Sequence, residues 1–214
     1  MKKATLLFLV TLIGGCVFGQ VRQFPPEMKA AYNTYMDIQR AFKSGSKSHL
    51  AAANLKLKAH TPNHYGTIRI KSGDTVSLNH HYIYDPHFID SLIQNRLVYS
   101  KAQEYTLRDS ERGLNSSTKV LARNFALDAK GKVRFSTVAN GKTCFAVIGE
   151  PYALLTLRVT DKQTNMVYGG RELADTGKPH REAVVPVPQG ESHSLIIEVI
   201  NCTNHPVSFV IIKG

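Results

Sequence analysis

Residues 154–168 read LLTLRVTDKQTNMVY. Leu155, Leu157 and Val159 alternate with Thr156, Arg158 and Thr160, and Asp161 to Asn165 then supply turn-forming residues. Strict alternation places the apolar side chains on one face of a strand and the polar ones on the other. The same pattern runs outward in both directions. It predicts strands near 120–127, 132–138, 142–148, 154–160, 182–187, 194–201 and 206–213, with a short extra one near 166–168. Most are separated by turn clusters: Asp128 to Gly131, Asn140-Gly141, Gly149 to Pro151, Gln189-Gly190 and Asn201 to Pro206. Short strands at regular spacing with such punctuation predict an antiparallel, jelly-roll-like β-sandwich over 113–214. In the segment 194–201, Leu195, Ile197 and Val199 alternate with Ile196, Glu198 and Ile200. That strand is apolar on both sides near its middle, which predicts cover on both faces.

Upstream, the period changes to that of a helix. In EMKAAYNTYMDIQRAFKSGS, residues 27–46, Met28, Ala31, Tyr32, Tyr35, Ile38 or Gln39, and Phe42 share one face. Pro25-Pro26 stands at the start and Gly45 at the end, the usual punctuation of a helix. A second helix follows, with Ser46 or Ser48 as cap and Leu50, Ala53, Asn54 and Leu57 on one face. The two form a hairpin. Residues 67–85 predict two short extended segments around Lys71-Ser72-Gly73-Asp74, and Asp85-Pro86 opens a third helix with Phe88, Ile89, Leu92 and Ile93 as its apolar face. The polar stretch 111–118 marks a boundary between a mainly helical region, 20–112, and the sandwich, 113–214. The expected fold class is α+β.

Residues 1–19 have the order of a secretory leader: Lys2 and Lys3, an uncharged apolar run, then small residues to Gly19. The run is shorter than the ~20 residues that span a bilayer, so the expected mature protein is extracytoplasmic, in the periplasm, at the outer-membrane surface or secreted. Two processing sites compete. Cleavage after Gly19 leaves Gln20 first. Ile13-Gly14-Gly15-Cys16 resembles a lipobox, which would make Cys16 a lipid tether. The apolar Val17-Phe18 behind Cys16 favours the first. Either way Cys144 and Cys202 remain, as a disulfide or as two buried thiols.

The formal charge of +11 is spread over both halves. No run of five like charges occurs, which excludes a polybasic arm and gives no support to nucleic acid as a partner. The densest polar cluster is NHHYIYDPHFID, residues 79–90. His80 and His81 point to opposite faces of a strand. The only metal-ligand candidates are therefore His81, Asp85, His87 and Asp90, against a competing reading of Asp85 as helix cap. No nucleophile elbow, zinc helix or Gly-rich phosphate loop is present, so no catalytic residue and no cofactor are expected. Tyr152 and Tyr168, near loops, are candidates for a binding platform, and the loop 169–182 for a protein partner.

Gly131 to Phe135, LLTLRVTDKQTNMVYGG (154–170) and VPVPQGESHSLIIEVINCTNHPVSFVII (185–212) resemble the bacterial pre-peptidase C-terminal type of β-sandwich. The shared features are the strand-turn-strand entry, Leu155 to Val167, and Pro188 to Val199. The resemblance implies a sandwich with exported, accessory character and no catalytic residue. Such domains usually stand beside a peptidase, and none is visible in this sequence. The expected function is an exported, non-catalytic accessory or binding module of the cell envelope, with an envelope protein or polysaccharide as partner. The alternatives are a hydrolase or metal-dependent enzyme centred on residues 80–90 and a structural, self-associating envelope protein.

Overall fold

The computed structural model describes residues 24–60, 68–70, 83–94, 103–105, 120–169 and 177–214. Its elements are helices α1 (Pro26–Ser44), α2 (Lys47–His60) and α3 (Pro86–Ile93), and strands β1 (Ile68–Ile70), β2 (Gln103–Tyr105), β3 (Leu121–Leu127), β4 (Lys132–Asn140), β5 (Thr143–Gly149), β6 (Leu155–Asp161), β7 (Val167–Gly169), β8 (His180–Val185), β9 (Ser192–Asn201) and β10 (Val207–Lys213). They build an α+β fold in three layers: helices, a six-stranded sheet and a four-stranded sheet.

The larger sheet has the order β2-β1-β3-β10-β5-β8 and the smaller β4-β9-β6-β7. The smaller sheet is antiparallel throughout, as are the four strands β3, β10, β5 and β8. β1 is an addition that the sandwich pattern did not anticipate: it lies parallel to β3 and to β2. β8 begins at His180, two residues before its expected start, because its pairing with β5 already includes His180 opposite Ile148. The second extended segment expected after Gly73 lies mainly in 71–82, outside the described residues, as does the boundary at 111–118.

Alternation makes the first core. Leu155, Leu157 and Val159 meet Leu195, Ile197 and Val199 beneath Phe125, Phe145, Val147, Phe209 and Ile211, all fully buried. Phe125 anchors it, with its ring 4.8 Å from Phe135 and 5.5 Å from Phe209. The opposite face of the larger sheet carries Cys144, Ala146, Ile148, Val210 and Ile212, and the helices cover it with Met28, Tyr35, Ile38, Leu57, Tyr84 and Ile89. β5 and almost all of β10 are therefore buried on both faces. The expectation of double cover for 194–201 is corrected here. On β9 the residues Ile196 and Ile200 are only half-buried, on the outer face of the smaller sheet beside the Glu198–Arg134 pair (2.6 Å).

The helix hairpin forms as its punctuation predicts. Gly45 closes α1 at φ +65, a left-handed conformation that costs glycine little. The Ser46 hydroxyl caps α2 by accepting from the His49 amide. Lys56 on α2 pairs with Asp37 on α1 at 2.9 Å. At the far end of the sandwich, the buried Asn201 side chain donates to the Asp128 and His205 carbonyls and accepts from the Thr203 amide and hydroxyl. This ties β3 to the β9–β10 connection. Gly169 needs to be glycine: at φ +92, a Cβ there would stand 2.4 Å from the Leu157 carbonyl oxygen.

One edge is guarded. Ser194, opposite Val138, directs its amide to Gln163 and its carbonyl to Lys162. The Val138 carbonyl therefore points away from the ladder. Lys213 Nζ reaches from the larger sheet and donates to it at 2.9 Å, and to the Thr137 hydroxyl at 2.7 Å.

Candidate functional site

The site is built on a turn. Gly149 ends β5, and the chain turns through Glu150, Pro151, Tyr152 and Ala153. The Ala153 amide donates to the Glu150 carbonyl at 3.0 Å. Proline second, and φ +71 at the third residue, is the signature of a type II turn, where glycine is the ordinary occupant. Here the occupant is Tyr152. A bulky side chain in the left-handed region costs about 1–2 kcal/mol. The residue is 73% exposed, and Lys43 at the end of α1 stands 5.9 Å from the ring centroid.

Beside this turn lies a cavity of about 380 Å³ lined by Phe42 of α1, Ile83, Phe88 and Leu92 from α3 and its approach, and Glu150 and Pro151. The helices are held to the turn by polar contacts in the helix–sheet layer. Gln39 Nε2 and the Tyr84 hydroxyl both donate to the Gly149 carbonyl, at 2.6 and 2.5 Å. The Asn124 side chain donates to the Tyr84 carbonyl at 2.7 Å. The Tyr84 hydroxyl is held well above its ordinary range by burial and then by the nearby Glu150 charge. Glu150 is the acidic wall of the cavity. Burial pushes its carboxyl up to about 7, against the opposing pull of the Ser208 backbone amide and His205. Both charge states are thus accessible near neutrality.

A second cavity, about 350 Å³, is lined by Glu27, Ala30, Ala31, Thr34, Tyr35, Leu57, Val120 and Ala122. The buried Tyr35 hydroxyl has no hydrogen-bond partner among the described residues.

The residues singled out in the sequence distribute as follows. Asp85 is buried and accepts from the His87 and Phe88 amides, at 2.8 and 3.4 Å, so its carboxylate serves as the α3 cap. Asp90 pairs with Lys58 and accepts from the Asn54 side chain at 2.9 Å. His87 is exposed on the first turn of α3. His80 and His81 lie outside the described residues, and among the described residues no three metal-ligating side chains converge. Cys16 also lies outside them. Cys144 and Cys202 are not bridged. Cys144 faces the helices and exchanges backbone hydrogen bonds with Gly214, whereas the Cys202 amide donates to Leu154 on the other sheet. They sit at opposite ends of β10, roughly 20 Å of strand apart, far beyond disulfide reach. Tyr168 faces the inter-sheet core and is half-buried there, so of the two tyrosines Tyr152 is the exposed one. The loop 169–182 is described only at its two ends.

Sequence reading missed three things. Glu150 gives no local signal, since its partners come from residues 42, 83, 88 and 92 and from β10. Tyr152 was singled out for its loop position, but its signal was finer: a tyrosine where Glu-Pro-x-Ala asks for glycine. His193, near the start of β9, is held between two carboxylates, with Nδ1 2.6 Å from Asp161 and Nε2 3.0 Å from Glu191. Those contacts with Asp161, and then Glu191, raise its proton affinity. For Asp161, burial alone would raise the carboxyl. His193 and the Gln163 and Thr164 groups outweigh it and hold it below its usual range.

No protein-family model matches the chain, and no curated protein matches it. Solved structures that match share only part of it. A Yersinia pseudotuberculosis-derived mitogen aligns at TM-score 0.35 and 12% identity, over 44% of this chain and 84% of that one. The pre-peptidase C-terminal domain of a Bacillus anthracis collagenase aligns at 0.32 and 13%, over 44% and 90%. PliG of Aeromonas hydrophila, a periplasmic inhibitor of g-type lysozyme, aligns at 0.31 and 10%, over 46% and 87%. All three are matches to small domains at a level that assigns neither family nor function. No helix among the described residues is long and apolar enough to cross a membrane.

Proposed function

We propose that this chain is an exported, non-catalytic binding module of the bacterial cell envelope, and that its ligand seats in the cavity between α1, α3 and the β5–β6 turn. The observation that carries this reading is Tyr152. An aromatic residue stands 73% exposed at a backbone position suited to glycine, directly after Pro151 of the cavity lining. Backbone strain persists where a site has a use for it, and strained residues cluster at ligand clamps. Small-molecule sites are concave, mostly apolar and carry a few polar groups, as this one does. The leader-like residues 1–19 support export, and the use of Asp85 as a cap and of Asp90 as a partner for Lys58 and Asn54 favours a binding role over a metal-dependent one.

The site is tested with Nile red, a neutral apolar fluorophore. Its emission should rise on adding the folded protein and fall at least several-fold with Leu92→Gln or Tyr152→Ala. Equal emission with wild type and both variants removes the site. Export is tested separately by intact mass of the protein from soluble and membrane fractions. An N-terminus at Gln20, or a lipidated Cys16, is expected, and a chain that still begins at Met1 counts against it.

A further inference from the structure

The cavity has an apolar body and one ionisable group. Phe42, Ile83, Phe88 and Leu92 form the body, and Glu150 stands in its wall. The groups that face this carboxyl come from each neighbouring element: the Ser208 amide from β10, His205 from the β9–β10 connection, and the Tyr84 hydroxyl from the approach to α3. The Tyr84 hydroxyl proton is already given to the Gly149 carbonyl. None of the described residues lining the cavity is a cation. A carboxylate in this setting has lost water and gained no counter-charge from the cavity wall. A ligand that brings the counter-charge regains what burial costs.

Resting on the reading of this cavity as a ligand site, we infer that its ligand class is a small hydrophobic amine: an aromatic or aliphatic body seated against Phe42, Phe88 and Leu92, with its ammonium group paired to the Glu150 carboxylate. Tyr152 follows Pro151 of the lining, and its ring face carries the Lys43 ammonium at 5.9 Å, so the ligand's cation is left to Glu150.

The inference predicts a pH dependence of definite sign. Only the ionised carboxyl pairs with ammonium. With Glu150 titrating at about 7, the ionised fraction, and with it the affinity, rises about tenfold between pH 6 and pH 8.

The experiment compares 2-phenylethylammonium with 2-phenylethanol, two probes of nearly the same shape, by NMR shift titration of the whole protein at both pH values. The ammonium should bind about tenfold more tightly at pH 8 than at pH 6, and the alcohol equally at both. In Glu150→Gln the ammonium should lose its pH dependence and its advantage, while the alcohol is unchanged. In His205→Gln the tenfold ratio should persist, and its collapse there overturns the assignment to Glu150. Wild-type binding of both probes without preference or pH dependence overturns the inference and leaves the cavity standing as a ligand site. Binding of neither probe overturns both.

Discussion

The larger sheet is buried on both sides, but its two faces are different environments. Between the sheets the layer is almost purely apolar, and the rings of Phe135 and Phe209 both pack on Phe125. Between helices and sheet the layer is threaded with polar groups: Gln39, Asn54, Tyr84, Asp85 and Asn124 are all buried, and Glu150 lies at its rim. The first layer needs only volume and alternation. The second carries polar groups that each need a partner, because one left without costs about 1–3 kcal/mol, and the Tyr35 hydroxyl finds none among the described residues. A fold can tolerate that demand where the groups have a use, and it is here that the strained turn, the cavity and the titrating carboxyl come together.

The comparison breaks most visibly in the inter-sheet layer. Phe135→Ala should destabilise by about 3–5 kcal/mol, read as a lower denaturation midpoint at unchanged slope. A loss under 1 kcal/mol would mean that this layer is not the stability-determining one. In the helix–sheet layer the largest effect should have the opposite sign. The Glu150 carboxyl is raised in the folded state, so the folded chain holds a proton that the unfolded chain releases. Stability therefore falls as pH rises from the unfolded carboxyl range to about 7. Glu150→Gln should remove that slope and stabilise by roughly 2–3 kcal/mol at pH 8, with little change at pH 4, as followed by thermal melting at both. Loss of the α3 cap comes next: Asp85→Ala should cost about 1–2 kcal/mol and weaken amide protection over 87–89 before that of the strands.

Tyr152→Gly sharpens the contrast between stability and use. It relieves the left-handed tyrosine and should stabilise by about 1 kcal/mol while weakening ligand retention. A variant that is destabilised would show that the tyrosine is there for packing. The smallest effect lies outside both layers. His193 gains its proton affinity from Asp161 and then Glu191. Its support of the turn after β6 is fully present below the unfolded histidine value and is lost as pH rises through the higher folded one. Protection factors at 162–166, with the intrinsic pH dependence of exchange divided out, should fall on that rise in wild type and stay constant in His193→Gln.

Strand positions were legible because alternation is local: Leu155-Thr156-Leu157-Arg158-Val159 declares its faces without reference to anything else. The helix faces were legible for the same reason, down to Asn54 and Gln39 on the buried side. What a face is buried against was not. Ile196 and Ile200 read like Ile148 and Val210, yet helices cover only the second pair, and nothing within nine residues says so. The parallel pairing of β1 with β3 joins residues more than fifty apart. The site was illegible for the same cause: Glu150 acquires its character from side chains that arrive from α1, α3 and β10. One residue carried a readable anomaly, the tyrosine after Glu150-Pro151, and it was noticed only as a loop aromatic.

The Lys213 contact with Val138 has a consequence for how the protein behaves in concentrated solution. β4 is a nine-residue edge strand with regular alternation, the kind of border on which a neighbouring chain can add a strand of its own. One of its outward carbonyls, that of Val138, is already occupied by an ammonium from the opposite sheet, so an incoming strand meets a positive charge there where it needs an acceptor. Burial lowers the proton affinity of that ammonium, which makes alkaline conditions the ones that loosen the guard. Solubility of this fold is thus vested in part in one lysine of its final strand, and its failure would take the form of ordered growth along an edge rather than amorphous collapse.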